Sequence, residues 1–352
     1  MTEYSFRDFL SGLCPSSEWQ RNGRKKFPLA YRMTFENLVP QKNSYMYIYK
    51  RKIGIFSRIN ILAMKTIPAS ELILNSDGSV FHLHLLPEQL ADKVILVGDP
   101  ARVDTVASYF DERECDVCNR EFHSITGRYK GKRITVVSHG IGTDNIDIVL
   151  NELDALANID LSTRTVKKTL RQLTLVRIGT SGGLQPHVPI GTYVVAEKSI
   201  GFDGVLNFYA GRDSVSDLAF EKAFCDFVGW NPQWAAPYVV DADADLVARI
   251  ASDEMVRGVT ISANGFYAPQ GRELRLPPAD PDLNRKIEAF RYEGRMITNY
   301  EMESSAVAGL SRLMGHKAMT VCCIIANRLS GKADAGYKGT VEGLIELVLQ
   351  RI

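Results

Sequence analysis

From about residue 90 the chain alternates short runs that are apolar throughout with longer stretches that are apolar on one face only. Val94–Val97, Ile134–Ser138, Leu173–Ile178, Tyr193–Ala196, Val259–Ser262 and Met319–Ala326 are runs of the first kind, rich in β-branched residues. A strand with one wet face alternates apolar and polar side chains, whereas a strand covered on both faces does not. These runs therefore predict interior strands of a sheet with helices above and below. The clearest helical pattern covers Met302–Gly315, where Ala306, Leu310, Leu313 and Met314 share one face and Gly315 stands at the expected stop. The alternation predicts an α/β fold, a three-layer α/β/α sandwich with a central mixed β-sheet.

Residues 1–63 have a different texture: basic, aromatic and without a clear period. Of the chain's 42 Lys/Arg and 41 Asp/Glu, this segment holds 11 and 4, so it carries a balance of +7 and the remainder −6. Three readings stand for it: a basic partner-binding or targeting arm, a small extra domain, or a start codon assigned too early, since patterned sequence begins only after Met64. The expected organisation is thus a basic extension over 1–63 and one catalytic domain over 64–352.

The charge balance bears on partners. An acidic body has no electrostatic footprint for nucleic acid, which favours a small-molecule role. Membrane association is not expected either, because the best early apolar stretch, Ile53 to Met64, is short and interrupted by Arg58. Residues 1–30 lack the layout of a signal peptide. Cys115 and Cys118 form a CxxC with no second pair or histidine cluster at zinc spacing, and Cys322 and Cys323 sit in an apolar run. That usage suits a reducing cytoplasm, the expected location.

Several motifs could carry chemistry. Gly98-Asp99-Pro100-Ala101-Arg102 follows a predicted strand, and a glycine there lets backbone amides approach an anion that an arginine four residues on can also reach. The same motif also suits a plain structural turn. Arg177 lies inside an apolar strand that empties into Gly179-Thr180-Ser181-Gly182-Gly183. A guanidinium buried there needs a charged partner or a ligand, and sequence leaves both readings open. In Tyr300-Glu301-Met302-Glu303-Ser304 two carboxylates open a helix, either for the helix dipole or, for Glu303, to accept hydrogen bonds from sugar hydroxyls. Phe266-Tyr267-Ala268-Pro269-Gln270-Gly271-Arg272 packs aromatic, amide and guanidinium groups into one loop, a set that can stack on a flat ring and bond its edge.

In order along the chain, VFHL at 80–83, GDPAR at 98–102, REF at 120–122, GIG at 140–142, RIGTSG at 177–182, FYAPQGR at 266–272, YEMES at 300–304 and NR at 327–328 resemble the nucleoside phosphorylase superfamily, and within it the uridine phosphorylases. The resemblance runs from about Val80 to the C-terminus. It implies that Gly98, Arg102, Arg177 and Thr180 hold phosphate, with Arg120 lent by a neighbouring subunit. It implies that Met302, Glu303 and Thr180 hold ribose, with His82 from the same neighbour, and that Ser181, Gly182, Phe266, Gln270, Arg272 and Arg328 surround the base. Inorganic phosphate is then the co-substrate and no organic cofactor is expected. A monovalent cation, K+, is implied near Glu121, Ile141 and Asn145, and a homo-oligomer with shared sites, at least a dimer and in the family a hexamer, is implied as well.

The expected function is reversible phosphorolysis of a pyrimidine nucleoside, with Arg102, Arg177, Glu303 and Arg272 carrying the chemistry. Related purine enzymes protonate the leaving base with an aspartate after the late strand, whereas this chain has Ala326-Asn327-Arg328. A purine or methylthio nucleoside phosphorylase or nucleosidase, and an inactive nucleoside-binding protein, remain the alternatives. The chain departs from the family at Asn119, Asn145, Ala268, Pro269 and Gly271, and in a polar stretch over 158–172 that resembles an insertion.

Overall fold

A computed structural model of the chain describes residues 66–334 and 336–352; the segment 1–63, and the boundary expected at residue 64, lie outside the described residues. In chain order the strands are β1 (Lys93–Val97), β2 (Glu112–Asn119), β3 (Phe122–Tyr129), β4 (Lys132–Ser138), β5 (Ile159–Asp160), β6 (Thr165–Val166), β7 (Thr174–Gly183), β8 (Tyr193–Gly201), β9 (Tyr238–Asp241), β10 (Val256–Ser262), β11 (Arg291–Tyr292), β12 (Arg295–Glu301), β13 (Lys317–Asn327) and β14 (Lys332–Ala333). The helices are α1 (Pro100–Ala107), α2 (Thr143–Asn158), α3 (Leu218–Val228), α4 (Ala244–Ile250), α5 (Leu283–Ala289), α6 (Ser304–Met314) and α7 (Lys338–Arg351).

The main sheet runs β11-β12-β10-β8-β13-β7-β1-β4-β3-β2 and mixes parallel with antiparallel pairs. Strand pleating sorts its side chains between two helical layers. Ile95 and Val97 of β1 join Val103 and Val106 of α1, Leu246 of α4 and Leu344 and Val348 of α7. Val94 and Leu96 face the other way, toward Ile146 and Leu153 of α2 and Val307 and Leu310 of α6. This is the layered α/β arrangement that the continuous apolar runs predict. A third cluster packs Phe220 and Phe224 of α3 and Ile287 of α5 against Ile261 and Ile297.

Two features go beyond the sequence pattern. First, β12 pairs back onto β7, Asn299 opposite Gly183 and Tyr300 opposite Gly182, so β7, β13, β8, β10 and β12 close into a ring. Second, β7 does not end at Ile178 but continues through the Gly-Thr-Ser-Gly-Gly run, which reads locally as a loop. Pairing with β13 on one side and β12 on the other overrides glycine's poor strand propensity. The glycines there also make room, since a Cβ on Gly183 would lie 2.6 Å from the Val188 carbonyl oxygen.

Helix α6 begins at Ser304 and stops as expected at Gly315, where φ is +82° and the His316 amide closes onto the Ser311 carbonyl at 2.8 Å. Strand β2 carries no apolar run, because at the sheet edge it is polar and half exposed. The polar stretch at 158–172 contains the small β5–β6 hairpin, held to the body where the Ile67 amide donates to the Arg164 carbonyl at 2.8 Å.

Candidate active site

The parallel strands β4, β1, β7 and β13 end side by side, and beyond their carboxyl ends lies a cleft of about 990 Å³. Crevices at that edge are where open α/β sheets take their ligands. Gly98, Arg102, Arg177, Thr180, Ser181, Gly182, Phe266, Gln270, Arg272, Met302 and Glu303 all line it, residues spread over some 200 positions of sequence. So do Glu121, Ile141 and Asn145; a Cβ built on Gly140 would lie 2.5 Å from Asn145 Nδ2 and 3.4 Å from Glu121 Cγ.

One end of the cleft brings Gly98, Arg102 and Arg177 together. Gly98 follows β1, and Asp99 caps α1 by accepting the Ala101 amide at 3.0 Å, which turns the chain so that Arg102 falls in the first helical turn. Arg102 donates to the Ile178 carbonyl at 3.4 Å, and burial lowers its basicity.

Arg177 resolves the question left open by its strand. Its Nη1 lies 2.9 Å from a Glu301 carboxylate oxygen and its Nη2 donates to Glu303. Its Nε donates to His139 Nε2 at 3.3 Å, and Nη1 also reaches Cys322 Sγ at 3.6 Å. Burial opposes its charge, but Glu303 and Glu301 reverse that effect and hold it above its ordinary value. Arg177 thus has ion-pair partners and still faces the cleft. Burial pushes the neighbouring Cys322 thiol up to about 12.

The two carboxylates after β12 divide their work. Glu301 accepts from the Glu303 and Ser304 amides, each at 2.9 Å, and from Ser262 Oγ at 2.6 Å, so it satisfies the start of α6. Glu303 instead accepts the Gly142 amide at 2.7 Å and faces Arg177. The helix-start explanation therefore fits Glu301, and the ligand explanation fits Glu303. Burial holds the Glu303 carboxyl above its ordinary value despite the pull of Arg177.

At the other end, Gln270 is buried and its Oε1 accepts from Arg272 at 2.6 Å. The Arg272 guanidinium lies 3.7 Å from the ring centre of Phe266, which is half exposed. Burial, with Arg328 nearby, draws Arg272 down to about 10. Arg328 is not in the cleft wall but braces the loop from behind, donating to the Gln270 carbonyl at 3.0 Å. Gly271, at φ +67°, adopts a conformation that glycine favours, and a Cβ there would lie 2.2 Å from Asn284 Nδ2.

His82 and Arg120 are not brought to the cleft of their own chain. His82 Nδ1 pairs with Glu152 at 2.6 Å, Arg120 lies 5.7 Å from the centre of the Phe81 ring, and Asn119 Nδ2 ties the two together by donating to the His82 carbonyl at 2.8 Å. Sequence reasoning missed His139, the capping role of Glu301, and Tyr300, Asp334 and Tyr337, which also line the cleft. Asp334 spends its Oδ1 on the Gly336 amide at 2.7 Å. Buried polar atoms left without a partner around the cleft include Ser181 Oγ, Arg328 Nε and His139 Nδ1.

Among the described residues no cluster of three or more His, Cys, Asp and Glu side chains could hold a metal ion, and no helix is long and apolar enough to cross a membrane.

Comparison with known proteins agrees with this geometry. The chain is 29% identical over 265 residues to the uridine phosphorylase of Thermococcus kodakarensis, which covers 74% of this chain and 83% of that protein. It is 24% identical over 276 residues to a purine nucleoside phosphorylase of Photobacterium profundum, covering 77% of this chain and 95% of that one. A crystal structure of a Trypanosoma brucei nucleoside phosphorylase, described as showing uridine phosphorylase activity, superimposes with a TM-score of 0.72 at 27% identity, covering 80% of this chain and 98% of the other. The family model described as the phosphorylase superfamily matches residues 92–350, nearly all of the described structure, and the chain belongs to that superfamily.

Proposed function

We propose that this chain is a uridine phosphorylase, converting uridine and phosphate reversibly to uracil and ribose 1-phosphate. The observation that carries the reading is one cleft whose two ends suit two reactants. Arg102, Gly98 and the Arg177–Glu303 pair lie at one end, and Gln270 with Arg272 at the other.

The chemistry follows from charge. As the bond from C1′ to the base nitrogen breaks, the sugar becomes cationic and the bonding electrons leave with uracil. A phosphate dianion held by Arg102, Arg177, Thr180 and the Gly98 amide stabilises that cation and attacks C1′. Glu303 and the Met302 backbone hold the ribose. The negative charge gained by uracil is met by Gln270 and Arg272, so no acid has to protonate a ring nitrogen. Asp334 is the observation that favours a purine reading, since it puts a carboxylate in the cleft wall, but it is already bound to the turn before α7.

His82 and Arg120 complete the site from a second copy of the chain, in a homo-oligomer. Their position together on one surface outside the cleft supports this. Glu121, the Ile141 carbonyl and Asn145 offer the oxygen donors that suit a hard monovalent ion, and K+ would bind there. Free cysteines fit a cytoplasmic enzyme.

The test is base release from uridine, thymidine, inosine and methylthioadenosine, with and without phosphate. Phosphate-dependent uracil release is expected. Uracil release that persists without phosphate would sink phosphorolysis, preference for inosine would move the reading to purines, and no turnover at all would leave a binding protein. Mixing the separately inactive Arg120→Ala and Arg177→Ala proteins should restore part of the activity if subunits share sites; no recovery in verified mixed oligomers would refute sharing.

A further inference from the structure

His139 stands at the inner end of the phosphate region, and no part of the mechanism above uses it. It follows β4, and its backbone amide donates to the Val97 carbonyl at 2.8 Å, which ties it to the end of β1 just before Gly98. Its ring packs beneath that glycine: a Cβ built on Gly98 would lie 3.7 Å from His139 Cε1. The side chain is fully buried, and its Nε2 faces the Nε of Arg177 at 3.3 Å.

An arginine Nε always carries hydrogen and can only donate, so His139 Nε2 must be the bare nitrogen and Nδ1 must carry the proton. The Gly140 backbone is the hydrogen-bonding neighbour left to Nδ1, in a contact that falls short of well-formed geometry. The ring is also kept neutral. Burial first, then the Arg177 and Arg102 guanidiniums, hold its pKa well below the ordinary histidine value, and no carboxylate touches it.

We propose that His139 is a positioning residue for phosphate, its neutral imidazole accepting the Nε hydrogen of Arg177 and so fixing the plane of that guanidinium at the cleft. This inference rests on the phosphate reading given above. The charge count explains why a neutral acceptor is needed. Arg102 and Arg177 supply two positive charges, and Glu301 and Glu303 already supply two negative ones. A third carboxylate at position 139 would satisfy Nε equally well but would make the cluster repel a dianion. A hydrocarbon would leave Nε–H buried and unpaired, so that the guanidinium turns to find another partner. Imidazole satisfies the donor without subtracting charge.

Steady-state kinetics and melting curves of the full chain and of His139→Leu and His139→Gln decide the matter. Leucine matches the bulk without an acceptor, whereas the glutamine amide oxygen can still accept from Nε. His139→Leu should raise KM for phosphate about tenfold or more, equivalent to about 1.4 kcal/mol, with KM for uridine changed about twofold or less, and His139→Gln should recover most of the loss. A phosphate KM in His139→Leu within about twofold of the parent, or equal defects in both variants, would overturn the proposal and leave a packing role. If His139→Leu does not fold, His139→Gln alone decides, and a tenfold rise in its phosphate KM overturns the proposal. The parent protein in the same assay separates this outcome from failure of the functional reading, because parent turnover that needs no phosphate overturns the reading itself.

Discussion

The two ends of the cleft are made differently. At the phosphate end the central pair is buried and already committed, with Arg102 and Thr180 half-buried beside it: Arg177 bonds Glu301, Glu303 and His139, and Glu303 also holds the Gly142 amide. At the base end the groups bond one another on a half-exposed loop, Arg272 to Gln270 and to the Phe266 carbonyl, with Phe266 51% exposed. The first end is held in place by the protein's own ion pairs, so its electrostatic work needs little rearrangement. The second must exchange internal hydrogen bonds for bonds to the base, which gives selectivity by adjustment rather than by fixed geometry. Damage to the first end should therefore cost rate and stability together, and damage to the second should cost rate with the fold intact.

The largest effect is expected from Arg177→Ala. It removes a proposed phosphate ligand and strands two buried carboxylates, so kcat/KM for phosphate should fall by roughly 10³ or more and stability by about 3–5 kcal/mol. Kinetics at low temperature and a melting curve measure both; a stable variant would mean that the two ends are alike. Gly179→Ala comes next. Its new Cβ would lie 2.6 Å from Arg177 Nη1 and 2.9 Å from Cys322 Sγ, so the guanidinium has to shift. Loss of roughly 10²-fold in kcat/KM is expected, the scale of an ångström misplacement, and full activity would show that the guanidinium position is not critical.

Gln270→Ala tests the other end. It should lower kcat/KM for uridine by roughly 10-fold to 100-fold, about the value of one or two hydrogen bonds, with Tm within a few degrees of the parent. A collapse in Tm would break the contrast between the ends. The smallest effect is chemical. With its thiol pushed up to about 12, Cys322 is thiolate to only about one part in ten thousand at pH 8. Iodoacetamide should therefore spare it in the native protein while reacting at exposed Cys118. Rapid native labelling of Cys322 would mean that the phosphate end opens to solvent.

The same contrast governs what could be read from the sequence. Gly98, Arg102, Arg177, Gln270 and Arg272 were legible because each violates its local pattern: a charge within an apolar strand, a glycine at a strand end, or an aromatic and basic cluster in a turn. The six apolar runs likewise announced their strands. His139 was not legible, since its role exists only because β4 ends beside β7 across β1. Nor could sequence divide the tasks of Glu301 and Glu303, two positions apart, because Ser262 on another strand decides which of them turns inward. The extension of β7 through its glycines depended on partners more than a hundred residues away, which local propensity does not contain.

The ring formed by β7, β13, β8, β10 and β12 has a mechanical consequence. In it the strand bearing Thr180–Gly182 and the strand leading to Glu303 are cross-tied through Tyr300 and Asn299. A hoop of this kind has no free edge that can splay, so the span between the phosphate and ribose groups changes only if ladder bonds break. The loop over 264–272 hangs outside that constraint and is fastened mainly by side chains, Arg328 and Asn284 to the Gln270 carbonyl. The two walls of the cleft are thus fastened differently, one by strand ladders and the other by a few side-chain bonds, so substitutions at Arg328 or Asn284 loosen only the second.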